Sequence, residues 1–476
     1  MDPKEELMLL EDSLDRITEK AKELGLDFYD MFFEICPADI LYTFGAYGMP
    51  TRFSHWSFGK AYHRMKTQYD YNLSRIYEMV INSNPCYAFL LEGNSIIQNK
   101  LVIAHVLGHC DFFKNNAYFK NTSRGMVESM AAAAERFREY EFKYGRPKVE
   151  SFIDAAIAIS EHIEPRVMIK KKNEKEGRRQ GRKESCRIER SPSPYDDLWD
   201  LEKGQECQED CSEKEKIFPP EPEKDLMLFI EQNSRDLDDW QRDIISVLRQ
   251  EMLFFWPQME TKIMNEGWAS YWHLRIMRDL DLDESETLEF AKMHSGIIQT
   301  SRTRINPYTL GLKIFEDIEK RWDNPTPEEK EKYGRPGGEG KQKIFEVRAT
   351  ENDISFIRNY LTRELVEELD LYLYKKVGNE WKIVDKEWQT VRDGIVTSLK
   401  NCGYPYITVQ NADYNKHGEL YLKHHYEGIE LDVYYVEKTI PHLYTLWGRP
   451  IHLETTLDNK RILFSYDGEK NNKKFL

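Results

Sequence analysis

Apolar residues recur every three or four positions through residues 4–24, "KEELMLLEDSLDRITEKAKEL", which predicts an acidic amphipathic helix. The aromatic stretch at 42–65, "YTFGAYGMPTRFSHWSFGKAYHRM", keeps no such period and reads as a loop region. "PCYAFLLEGNS", punctuated by Pro85 and Gly93, predicts a strand or turn. A helix is expected over 99–116, and two more over 125–145 and 148–164, parted by a Gly145–Pro147 break. The pattern then fails. Residues 170–224 run through "KKKNEKEGRRQGRKE", "SPSP" and an acidic stretch ending "FPPEPEK", with too few apolar groups to offset the entropy of ordering the chain. Tyr195, Leu198 and Trp199 could dock as one apolar spot there; Cys207 and Cys211 are a candidate metal clip without a second pair.

Helical periodicity returns from 225 to about 322, with Pro257 expected to kink or divide a long run. "GRPGGEGK" at 334–341 is a glycine-rich connector whose spacing does not make a phosphate loop. From about 345, two helices alternate with β-type runs such as "YPYITVQNAD", "GELYLKHHYEGIELDV" and "KRILFSYDG". The expected organisation is a helical domain at 1–169, a charged flexible linker at 170–224, a second helical segment at 225–330 and an α+β domain at 345–476.

Composition narrows the partners. A net charge of −15 over 476 residues argues against nucleic acid, which needs a basic face. No window approaches the length of a membrane span, and the N-terminus lacks the basic and apolar regions of a signal peptide. Seven scattered cysteines fit reduced thiols, so a cytoplasmic protein is expected.

The candidate chemistry begins with "HVLGHCDFF" at 105–113. His105 and His109 stand one helical turn apart on one face, so their ring nitrogens can converge on one tetrahedral ion. The spacing is that of the HExxH metallopeptidase signature, but Val106 occupies the place of the catalytic glutamate and cannot take a proton. "MNEGWASYWH" at 264–273 resembles the helix that supplies the third ligand in gluzincin aminopeptidases, with Glu266 at the matching position. Gly267 and Ala269 beside it are small enough to let another helix pack close. The resemblance implies a gluzincin-like helical metal-site core holding zinc or another divalent metal on His105, His109 and Glu266, with one position open to water. His273, two turns beyond Glu266, is a further ligand, a base or a buried histidine, and His294 on the next helix could reach the same cleft; these two are the candidate catalytic groups. Arg52, His55, Trp56 and Lys60, together with Tyr308 in "INPYTLG", could line a substrate pocket or could simply pack.

"RFSHWSFGK", "HVLGHCDFFKNN", "NEGWASYWH" and "NPYTLG", in this order around a charged insert, resemble the stage V sporulation protein R family along essentially the whole chain. The resemblance implies a part in assembling the spore cortex, a peptidoglycan layer, from the mother cell of a spore former. It also implies genes placed beside a serine protein kinase and its partner protein. Two functions follow from different premises. The first is a metal-dependent, amide-directed enzyme. The second is a non-catalytic regulator or scaffold that works with such a kinase, for which "SPSP" would be a phosphorylation site.

Overall fold

Ser95 sets the start of the helix that carries the two histidines. Its hydroxyl accepts from the Gln98 N–H and the Gln98 side chain accepts from the Ser95 N–H at 2.9 Å, so two otherwise orphaned donors are satisfied. This histidine helix, Ile96–Asn115, is enclosed almost throughout: every residue from Leu101 to Phe113 is buried, including His105, His109 and Asp111. A helix apolar all round has to lie inside a core. Around it lie the helix Pro3–Glu23, the glutamate helix Lys262–Arg278 and strand β3, Cys86–Leu91.

The computed structural model describes residues 3–166, 218–299, 304–377 and 380–476. The Tyr195–Leu198–Trp199 spot, the "SPSP" serines and the Cys207–Cys211 pair lie outside the described residues. The chain groups into two compact units, Met1–Glu150 with Gln250–Tyr404 and Ser151–Arg249 with Pro405–Leu476. The helices Gly340–Thr350, Asp353–Tyr360 and Trp388–Leu399 place Ile344, Val347, Phe356, Ile357, Val391 and Ile395 in the same core as the histidine helix.

In the first unit the glutamate helix is held at its N-terminus by a buried side chain. Asp353 accepts from the Ile263 and Met264 N–H groups at 2.8 and 2.9 Å, where a carboxylate meets both orphan donors and the positive end of the helix dipole. The helix then passes between two others through small residues. A Cβ on Gly267 would lie 2.3 Å from the Gly311 carbonyl carbon in the helix Pro307–Asp323, and one on Gly108 would lie 2.8 Å from Ala269 Cα. Backbone thus meets backbone on both faces, as the small residues of the sequence suggested. A three-stranded sheet completes the unit near the site: β1, Met31–Cys36, runs parallel to β3, and β2, Glu78–Ile81, runs antiparallel on its other side. A hairpin, β4 (Leu373–Val377) and β5 (Glu380–Asp385), stands apart from that sheet.

The second unit carries a five-stranded sheet ordered β10-β9-β8-β7-β6, with β6 Ile407–Tyr414, β7 Glu419–His424, β8 Ile451–Leu457, β9 Lys460–Tyr466 and β10 Asn471–Phe475. Only β7 and β8 are parallel, and the helix Val433–Trp447 connects them, since parallel neighbours need a crossover. The protein therefore has a helix-rich N-terminal part and a C-terminal sheet, as its pattern predicts.

Three local expectations change. The aromatic stretch read as loop contains parts of two helices, Ala38–Tyr47 and Trp56–Asp70. Gly48, at φ 79°, ends the first, and His55, whose ring accepts from the Ser57 N–H, opens the second. Aromatic rings on several faces hide a helical period that the caps reveal. Pro257 lies inside the continuous helix Asp239–Glu260, and the break falls at Thr261 instead. "GELYLKHHYEGIELDV" is β7 followed by the approach to the Val433–Trp447 helix rather than strand throughout.

Replacing Gly267 by Ala should destabilise the protein by about 3 kcal/mol or more, because neither backbone can move away from the new methyl group. Gly59→Ala, on an exposed helical face where a Cβ meets nothing within 4 Å, should instead raise stability by up to about 1 kcal/mol. Urea unfolding of the two variants beside the parent measures both.

Candidate metal centre

The two buried helices bring three ligating groups together. His105 Nε2 and His109 Nε2 stand 3.6 and 3.5 Å from Glu266 Oε2, and the ligand atoms of all three residues lie within 4.8 Å of one another. The two rings are nearly perpendicular, at 86° with centroids 4.6 Å apart, so their nitrogens point inward from different directions.

The opposite ring nitrogens are occupied. His109 Nδ1 is 2.9 Å from Asn265 Oδ1. An amide oxygen only accepts, so the ring donates there. Burial and the neighbouring His105 push the His109 pKa down to about 4, against the pull of Glu266 and Asn265, so the ring is neutral at physiological pH. Its one proton is then spent on Asn265, and the lone pair of Nε2 faces a carboxylate oxygen. Glu266 Oε2 is buried and accepts no hydrogen bond from any described residue. Burial by itself would raise Glu266, yet hydrogen-bonding attraction from His105, 3.6 Å away, followed by the charges of His109, His105 and Lys262, outweighs it and holds the carboxyl below its ordinary value.

His105 Nδ1 meets His273 Nδ1 at 2.9 Å, and His273 Nε2 meets His294 Nδ1 at 3.0 Å. The three rings form a line from the core to a partly exposed helix, Glu284–Ile297. Burial first, then the charges of His105, His294 and His109, drives His273 well below an ordinary histidine. Burial and Arg278 lower His294.

The expected pocket residues divide. Tyr308 stacks over His105 with centroids 6.0 Å apart, and burial followed by the Glu266 and Glu78 charges raises its phenol. Asn306 places it there by capping the helix that Pro307 begins, accepting from the Tyr308 N–H at 3.0 Å. Arg52 is engaged elsewhere: its guanidinium pairs with buried Glu251 at 2.6 Å, donates to the Tyr47 carbonyl at 2.9 Å and lies 4.0 Å over the Phe58 ring. His55 serves as a helix cap, while Trp56 and Lys60 are exposed. Val106 is fully buried among apolar neighbours.

Two residues of the neighbourhood, Asn265 and Glu78, carry no signal in the sequence, whereas Asp111, rotated off the His105/His109 face of its helix, is expected in a supporting role. Asn265, beside the expected ligand, orients His109. Asp111 ties the two helices: it accepts from Trp268 Nε1 at 2.7 Å and from the Asp27 N–H at 2.8 Å, and burial pushes it up to about 6 despite Arg348. Glu78, the first residue of β2, is pushed up by burial and by Glu266 against the pull of His105. No spacing links a lone glutamate in a four-residue strand to histidines that follow it.

The family model described as "SpoVR like protein" matches residues 4–404, and that described as "SpoVR-like C-terminal domain" matches 405–458. The chain belongs to the SpoVR family. All the residues of the centre lie in the larger SpoVR match. A relative, "Uncharacterized protein YcgB" of Escherichia coli (strain K12), is 29% identical over 481 residues, covering 94% of this chain and 91% of its own. No solved structure matches. Among the described residues no helix is long and apolar enough to cross a membrane.

The buried ring gives a pH dependence with a definite sign. The His109 pKa falls from 6.5 to about 4 on folding, so between those values the unfolded chain binds a proton that the folded chain refuses. Stability therefore decreases as pH falls through this window. Metal-free protein in chelator should lose about 2 kcal/mol from this group between about pH 7.5 and pH 5, and urea unfolding of His109→Asn should lack that part of the slope.

Proposed function

We propose that this SpoVR-family protein binds one divalent cation, zinc, on His105, His109 and Glu266, and uses it in an amide-directed hydrolytic reaction. One observation carries the reading. A neutral imidazole with its only proton already donated presents a lone pair to a buried carboxylate oxygen that has no donor of its own, 3.5 Å away. Two acceptors facing each other at that range, out of water, repel; a cation between them turns the repulsion into coordination.

The donor set suits the ion. Two imidazole nitrogens and one carboxylate, with both outer ring nitrogens held by Asn265 and His273, are the ligands and the supporting bonds of a three-ligand catalytic zinc site. Two helices crossing at small residues with a histidine pair on one and a glutamate on the other support kinship with the gluzincin core. The ion would polarise a carbonyl and lower the pKa of water. The protein's own groups do the rest: Asn265 and His273 fix the ring orientations, and Tyr308 stands over His105 with a phenol that stays protonated. The family resemblance suggests the setting, an amide step connected with peptidoglycan of the spore cortex.

Val106, fully buried where a peptidase carries its base, favours a second reading in which the ion is structural and the protein acts through partners such as a serine protein kinase.

Full-length protein purified without chelators should carry about one zinc per chain by elemental analysis. His105→Ala and Glu266→Ala should each lower the bound metal at least about tenfold while circular dichroism still shows a helical fold. Metal-free parent protein that stays metal-free under stoichiometric zinc would end the proposal.

A further inference from the structure

The second unit holds a cavity of about 240 Å³ between its sheet and the helix that crosses it. The crossover from β7 to β8 supplies two of the walls. Leu422 and Leu453 are direct partners in the parallel pair, so they stand side by side on one face of the sheet. Val436, Ile440 and Leu443, spaced four and three apart, turn one stripe of the helix Val433–Trp447 to the same space. A third wall, which includes His162 and Leu226, is fixed by its backbone. The Leu226 N–H donates to the His162 carbonyl, and the His162 N–H to the Ile159 carbonyl, each at 3.0 Å. Asp225 accepts from the Glu164 N–H at 3.2 Å and pairs with Arg249 at 2.6 Å, which pins the two segments together. Glu430, Asp432 and Tyr435, exposed residues around the start of the helix, also line the space, so it meets solvent there.

One polar ring stands among these apolar walls. The His162 imidazole lines the cavity and makes no hydrogen bond with any described residue. Burial, followed by the charges of Lys224 and His424, lowers it to about 4, so the ring is neutral and offers one donor and one acceptor. A desolvated polar group without a partner costs stability, and a ligand that brings a hydroxyl or N–H group removes that cost. Charge narrows the choice of ligand. The lining includes the carboxylates Glu430 and Asp432 and no lysine or arginine, while Lys224 is paired with Glu164 at 3.6 Å. An anion would be repelled, and any ion would exchange water for aliphatic side chains. Size narrows it further: a dry cavity of about 150 Å³ holds benzene, so this one suits a body of about ten carbon atoms. We propose that the cavity is a binding site for an uncharged small molecule with a compact apolar body and one hydroxyl or N–H group, which hydrogen-bonds to the His162 ring. The site shares no residue with the metal centre and stands whether or not that centre holds an ion.

Three probes of nearly one shape test this by NMR titration of the full-length protein: indole, the hydrocarbon indene, and an indole carboxylate. Indole should bind saturably, about fivefold or more tightly than indene, which lacks the N–H, and than the carboxylate, which is charged. His162→Leu should remove the preference and bring indole down to the affinity of indene. Val436→Phe, which puts a ring into the cavity, should abolish the binding of both. Thr439→Phe, at a half-buried lining position, serves if circular dichroism shows that Val436→Phe has lost its fold. A parent that binds no indole would overturn the inference, as would equal affinity for indole and indene or for indole and the carboxylate. Indole binding unchanged in folded His162→Leu, or in a folded cavity-filling variant, would overturn it too. The comparison of indole with indene in the parent stands even if no variant folds.

Discussion

A lone pair on His109 and a carboxylate oxygen on Glu266 face each other at 3.5 Å inside a core, and much of the first unit exists to hold them there. Left alone, the two helices would separate or their side chains would rotate, because each acceptor is better off in water. Neither is free to do so. Gly108 against Ala269 and Gly267 against Gly311 bring the main chains into contact, so the glutamate helix is gripped on two sides. Asp353 fixes its start and Asp111 binds Trp268 along its length. The arrangement spends stability gained from a large apolar core to keep one polar confrontation in place.

The outer bonds of the two rings have different consequences. Asn265 can only accept from His109, which fixes one tautomer. His273 can accept or donate, and through His294 it links His105 to the partly exposed edge of the unit. One ring is therefore set once, while the other is connected to a path along which protons can redistribute. Tyr308 stands on the same His105 side, its ring stacked over that imidazole. The helix carries the histidine pair of a familiar signature, with Val106, a core residue, in the place of its base. A buried carboxylate pointing into that apolar cluster would need a partner the cluster lacks.

Membership of the SpoVR family extends over both units, through matches to 4–404 and 405–458, and the relative YcgB aligns with nearly the whole chain. The five-stranded sheet begins at Ile407, so the boundary between the two matches falls just before it. Helices between 340 and 399 pack into the core that holds His105, His109 and Glu266, even though in sequence they sit among β-type runs. Local period registers the element type, and it carries no information about which distant surface an element covers.

The sequence by itself determined the elements whose pattern is local. The four-residue step from His105 to His109 puts both rings on one face, the helical "NEG" stretch offers a carboxylate beside small residues, and alternation marks β6 and β9. It also determined the absence of a glutamate at position 106. Tertiary structure alone decided that Glu266 meets those rings, that Asn265 and His273 occupy their other nitrogens, and that Arg52 is consumed by Glu251. The physical reason is that a one-dimensional pattern encodes which face of an element is apolar, whereas a site is made of polar atoms whose partners are chosen by how those faces stack.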